Sequence, residues 1–118
     1  MPETTTEEKP KESFEDFSVR YAAAKRTVLA HAEFARWKVT SFRTLRTRDG
    51  AAWSCRLRFD GKLVGEACNG GYGGPDEIRI ENKHTAAHAS FDMLAALCVG
   101  CIEREGMVVD AMLTAAGK

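Results

Sequence analysis

A chain of 118 residues with seventeen bases, seventeen acids and four cysteines has the length of one domain, and enough of it to bury a core without disulfide or metal staples. Its polar opening, MPETTTEEKPKE, lacks the apolar core of a signal peptide, and no apolar run approaches the roughly 18 residues that a membrane span needs. A soluble, cytoplasmic protein with free thiols and no membrane partner is therefore expected.

The formal net charge of zero hides a strong asymmetry. Residues 1–16 carry six acids and two bases, residues 17–63 eleven bases and three acids, and residues 64–118 eight acids and four bases. A basic middle third suits an acidic protein, a nucleic acid or the chain's own acidic segments.

Residues 1–12 are rich in Thr, Glu, Lys and Pro, so they lack the apolar surface to offset the entropy of ordering and read as a disordered acidic tail. Residues 13–118 read as a single α+β domain. Ser13 and Asp16 resemble a capping box, and Phe14, Phe17, Tyr21, Ala24, Val28, Ala32 and Ala35 recur at helical spacing. One long helix over 13–36 follows.

Two Asp-Gly pairs, Asp49-Gly50 and Asp60-Gly61, then stand between β-rich runs, and Asp-Gly supplies the positive φ angles of tight hairpins. They predict an antiparallel meander with strands near 39–48, 51–59 and 62–68. In the middle strand Trp53, Cys55, Leu57 and Phe59 alternate with Ser54, Arg56 and Arg58, which assigns the first set to the core. Two-residue turns at both pairs set Arg43 opposite Arg56, Arg56 opposite Gly65, and Ser41, Arg58 and Leu63 in the next row. Like charges directly opposite repel, so either a bulge shifts the first strand or this basic face awaits anions.

A loop, Asn69-Gly-Gly-Tyr-Gly-Gly-Pro75, leads to the alternating Glu77-Ile78-Arg79-Ile80, a short fourth strand. A second long helix is expected over 84–104, with Ala87, Phe91, Leu94, Cys98 and Cys101 on one face and Gly106 as its stop. Met93, Leu97, Val99 and Ile102 make it apolar over most of its circumference. A helix of that kind is covered on two sides, here by the sheet and by helix one, the tail segment 107–113 or a second subunit, so a homodimer through 84–104 is one expectation.

No residues suggest catalysis or a cofactor. Cys98 and Cys101 have metal-ligand spacing, with Cys55 and Cys68 as further thiols, but placement on a helix's core face favours buried structural thiols. His84 and His88 lack the intervening Glu of a zinc-protease helix. The glycine loop matches neither a P-loop nor a dinucleotide fingerprint. It reads either as a flexible connection or as a recognition loop in which Asn69, Gly71, Gly73 and Gly74 let the backbone approach a neighbour while Tyr72 anchors a partner. With Arg43, Arg56 and Arg58 on the sheet face, that loop makes up the expected partner-binding site.

Two resemblances extend these readings. The order helix, three-strand meander, helix is similar to the double-stranded RNA-binding domain over residues 20–97. Phe59-Asp-Gly-Lys-Leu-Val-Gly65 resembles that family's second hairpin, and Asn82-Lys-His-Thr-Ala-Ala87 the opening of its second helix. Only Lys83 stands where that family has a lysine cluster, with His84 in the second basic place. The resemblance implies a nucleic-acid-binding alternative through Arg43, Arg56, Arg58, Lys83 and His84. Asp60-Gly-Lys-x-Val-Gly65 followed by Asn69-x-Gly-x-Gly-Gly74 resembles a pattern of small uncharacterised phage and prophage proteins. That likeness implies a non-enzymatic, phage-type inhibitor acting on a host or defence protein.

Overall fold

A computed structural model of the chain describes residues 14–48, 50–72, 74–101 and 103–118. The elements run α1 (Phe14–Ala30), a 3-10 turn (Ala32–Arg36), β1 (Trp37–Thr47), β2 (Gly50–Phe59), β3 (Lys62–Asn69), β4 (Glu77–Ile80), α2 (Thr85–Ala96) and α3 (Arg104–Ala115). The strands form one antiparallel sheet in the order β1-β2-β3-β4, so the α+β class and the meander are as expected and the fourth strand is real. The acidic tail and the capping serine lie outside the described residues.

Three sequence expectations about the helices change. The first helix stops at Ala30: the His31 ring Nδ1 accepts a hydrogen bond from the Glu33 amide at 3.0 Å, capping a 3-10 turn that redirects the chain. The second helix stops at Ala96 rather than 104. Gly100 takes φ +80°, a conformation that suits glycine, and the Cys101 amide donates to the Cys98 carbonyl at 3.2 Å. Gly106 is thereby not a stop but lies within α3.

The segment expected as a tail is a third helix, and it covers α2. Met107, Val108, Val109, Ala111 and Met112 are all buried, as are Ala87, Phe91, Leu94, Ala95 and Cys98 on and after α2. The chain's own α3 thus covers part of the helix that suggested a homodimer through 84–104, while Val99 just beyond it stays 73% exposed. With all the helices on the apolar side of the sheet, β2 buries Cys55, Leu57 and Phe59 there, as alternation requires.

Trp37 sits where the 3-10 turn meets β1. Its ring lies 4.9 Å from Phe59 and 5.6 Å from Phe91, and its indole N–H donates to the buried Ser90 hydroxyl at 2.9 Å. A hydroxyl inside a helix–sheet core is tolerated because it is paired. Nearby, Arg36 holds the β2–β3 turn from outside: Nε donates to Asp60 Oδ1 at 3.0 Å and Nη2 to Oδ2 at 2.6 Å, while the guanidinium lies 4.3 Å over the Phe59 ring. Asp60 and Gly61 have φ of 53° and 82°, the two positive angles of a type I′ hairpin.

The register differs from the expected one through two bulges. In β1, Ser41 and Phe42 together face Cys55, between the pairs Thr40 with Arg56 and Arg43 with Ser54, and Ser41 takes φ 54° as the extra residue of a bulge. The first turn also closes one residue early, with Thr47 opposite Gly50. In β3, Val64 is the extra residue between Leu63 opposite Arg58 and Gly65 opposite Leu57. Leu57 therefore pairs with Gly65 and not with Val64. Gly65 is required there, since a Cβ would come 2.1 Å from the Arg79 carbonyl oxygen and 2.9 Å from Ile80 Cα.

Two outcomes are expected. Gly65→Ala has no flexible neighbour to displace, so it should cost about 3 kcal/mol or more in urea unfolding and raise hydrogen exchange at Arg79 and Ile80 first. The Arg36 guanidinium holds the Asp60 carboxyl below its ordinary value, so its stabilising contribution is full above the unfolded-state pKa and is lost as pH falls through the lower folded one. An NMR titration should show that low midpoint, and Arg36→Ala should raise it back toward the ordinary carboxylate range.

Candidate binding surface

The face of the sheet opposite the helices is bare, and the pairing defines its rows. Lys38, Arg58 and Leu63 form one; Thr40, Arg56, Glu66 and Arg79 the next; Arg43, Ser54, Cys68 and Glu77 a third; Leu45 and Ala52 a fourth. Cations dominate the β1–β2 half and carboxylates stand only on β3 and β4. Leu45 and Leu63 are exposed, at 69% and 41%.

The expected opposition of Arg43 and Arg56 does not occur. The early closure of the first turn, with Thr47 opposite Gly50, sets Arg43 against Ser54; the β1 bulge then brings Thr40 opposite Arg56, and the β3 bulge puts Glu66 instead of Gly65 on its other side. The like-charged pair lies one row further, at Lys38 and Arg58. Arg58 turns away from that repulsion: its Nε donates to the Thr40 hydroxyl at 3.3 Å and its Nη1 to the Gly61 carbonyl at 3.4 Å. Glu66 pairs with Arg79 at 3.6 Å across the surface. Among the described residues, Lys38, Arg43 and Arg56 have no ion-pair partner.

The glycine loop folds against the protein's own β1–β2 hairpin. Gly71, at φ +82°, is packed so that a Cβ would lie 2.8 Å from Thr47 Oγ1 and 3.0 Å from the Ala51 carbonyl carbon, and the Thr47 hydroxyl donates to the Gly71 carbonyl at 3.3 Å. Asn69 organises the loop rather than presenting itself. Its Oδ1 accepts from the Gly71 amide at 2.8 Å, and its Nδ2 donates to the Gly74 carbonyl at 3.1 Å and to Asp76 Oδ1 at 2.9 Å. Tyr72 is 76% exposed, with one ring edge over Gly70. Gly74 is exposed with open space at its Cβ position, and Gly73 lies outside the described residues.

Thr47 shares the bare face with Arg43 and Leu45 by strand alternation, so Tyr72 stands near that end of the sheet. Arg58 is six residues along β2 from Ala52, about 20 Å at the usual strand rise. The expected site therefore has Arg43 near the loop, with Arg56 and Arg58 progressively further away. Lys38 was missed because β1 begins two residues before the expected start at 39; the alternation through Trp37, Lys38 and Val39 carries that signal.

The alternative nucleic-acid set divides between two surfaces. Arg43, Arg56 and Arg58 are on the bare face, whereas Lys83 and His84 stand at the start of α2 beside Phe59, Val64 and Ala87 on the helical side. There Glu81 engages both, with His84 Nε2 at 3.0 Å and Lys83 Nζ at 3.9 Å from its Oε1. The His88 ring turns to the Glu81 carbonyl at 3.2 Å. Cys98 and Cys101 lie on a turn rather than within a helix, and burial raises the Cys55, Cys68 and Cys98 thiols above their ordinary pKa. Among the described residues no three or more His, Cys, Asp or Glu are gathered to hold a metal ion, and no helix is long and apolar enough to cross a membrane.

The two roles within the loop are separable by stability. Gly71→Ala should cost about 1–3 kcal/mol, from a strained φ and a crowded Cβ, whereas Tyr72→Ala should stay within about 0.5 kcal/mol of the parent, both read by urea unfolding. Compared with protein-family models, with curated proteins and with solved structures, the chain matches none.

Proposed function

We propose that the domain is a non-enzymatic binding protein that takes an acidic protein surface on its bare sheet face, with Tyr72 as an aromatic contact at one end. The observation that carries this reading is the set of cations without ion-pair partners among the described residues, Lys38, Arg43 and Arg56 beside the hydrogen-bonded Arg58, on a face that also exposes Leu45 and Leu63, with the exposed Tyr72 in the loop packed at its end. Arginine and tyrosine are enriched in protein interfaces and lysine is depleted there, so Arg43 and Arg56 are the anchors and Lys38 a peripheral charge. Exposed leucines beside the arginines add apolar area that a hydrated ion does not use. In the finer form implied by the phage-like motif of residues 60–74, the bound protein is a host or defence component disabled by the contact.

Duplex RNA is the runner-up ligand. The division of its expected contact residues between the two sides of the sheet, and the engagement of Lys83 and His84 by Glu81, favour protein over RNA. The test immobilises wild type beside Arg43→Glu/Arg56→Glu and Tyr72→Ala, captures from cell lysate and measures each captured protein with purified components. The charge-reversed variant should bind at least about tenfold more weakly, and Tyr72→Ala several-fold more weakly. A captured set unchanged by either variant defeats the proposal. A salt-sensitive shift of duplex RNA by wild type, lost in the charge-reversed variant, replaces it with the runner-up.

A further inference from the structure

The helical side holds a cavity of about 340 Å³ between the starts of α1 and α3 and the segment leading into β4. Its floor is apolar, from Phe17, the Tyr21 ring and Met107, and Phe17 is 44% exposed at α1. The volume is at the lower end of the range of pockets that hold small ligands or buried side chains of a partner.

Three carboxylates stand around this floor, and they are not equivalent. Asp110 is already engaged, accepting from the Tyr21 hydroxyl at 2.9 Å and from Lys25 Nζ at 3.1 Å. Asp76 uses Oδ1 to accept from Asn69, and its Oδ2 lies 3.2 Å from where a Cβ on Gly106 would stand. Glu103 Oε1 lies 3.6 Å from that same point. Glu103 occupies the N-cap position of α3, yet its side chain makes no capping hydrogen bond. Two acceptors thus converge over the one position in the first turn of α3 that has no side chain, and among the described residues neither Asp76 nor Glu103 has an ion-pair partner.

An apolar floor below converging carboxylates complements a cation carried on an apolar stem. A guanidinium fits better than an ammonium, because it is planar, weakly hydrated, pairs with carboxylates through a fork of donors and stacks on aromatic faces. The chain's first thirteen residues hold two lysines and no arginine. We propose that this cavity is a docking site for an arginine of a partner protein, its guanidinium between Asp76 and Glu103 and an adjoining apolar residue against Phe17 and Met107. This site lies on the helical side and has the opposite charge preference from the bare sheet face, so it is independent of that face.

The test is an NMR titration with acetyl-Phe-Arg-amide, followed at the Tyr21 ring and the Met107 methyl, beside the neutral isostere acetyl-Phe-citrulline-amide. The arginine peptide should give saturable shifts at both probes, and the citrulline peptide should bind at least about tenfold more weakly. Glu103→Gln should weaken the arginine peptide about three- to tenfold. Gly106→Ala should abolish its binding by filling the point where the carboxylates meet, while leaving the fold intact, since alanine favours a helix over glycine. Arg56→Glu, on the bare face, should leave the titration unchanged. Equal binding of the two peptides, wild-type binding by Gly106→Ala, or no shift at Tyr21 and Met107 up to about 10 mM peptide overturns the proposal.

Discussion

The arrangement depends on how α3 covers the sheet and its neighbouring helices. A four-stranded meander with one apolar face needs more cover than α1 and α2 supply, and α3 packs against both of them as well as β1 and β4. Val108, Val109 and Ala111 are fully buried, and each larger side chain so placed contributes on the order of 1.5–3 kcal/mol from removal of apolar surface. The requirement also explains the short α2. A turn beginning at Leu97 and running through the left-handed Gly100 lets the chain reverse and lay its last helix back across the layer, which one rigid helix over 84–104 would prevent.

Placing every helix on one side leaves the other side of the sheet to solvent, and that asymmetry sets up the surface chemistry. The outer residues of β1 and β2 come from the basic third of the chain, whereas those of β3 and β4 come from its acidic end. The charge segregation in the sequence therefore becomes a gradient across one face. The helical side carries the opposite sign at the start of α3, where Asp76, supplied by the loop before β4, meets Glu103.

The first turn and the two bulges decide how the charges on the bare face meet. A turn one residue later would set Arg43 against Arg56; with Thr47 opposite Gly50 it faces Ser54, and the bulges place Arg56 between the Thr40 hydroxyl and the Glu66 carboxylate. The residual like-charged pair, Lys38 and Arg58, is relieved because Arg58 reaches the Thr40 hydroxyl and the Gly61 carbonyl. The bulges also serve the core. Ser41 accepts a left-handed backbone so that Phe42 can stack near Trp53, and Val64 is inserted so that it buries beside the Leu57 row.

Local chemistry was enough to read the α+β class, the strands, the Asp60-Gly61 hairpin and the core face of β2 from the sequence, because alternation and positive-φ turn residues act over two to four positions. The exposure of Tyr72 and the close backbone approach of its glycine loop were legible for the same reason, although the neighbour approached is the chain's own hairpin. The ends of α1 and α2 were not, since apolar spacing continued through His31 and past Leu97 while capping and a left-handed glycine broke the helices. Register was not legible either: a bulge is chosen by what the whole core must bury, and one inserted residue changes which side chains stand opposite each other. The convergence of Asp76 and Glu103 over Gly106 belongs to tertiary structure alone, because it joins residues 27 positions apart that only the packing of α3 beside the segment leading into β4 brings together.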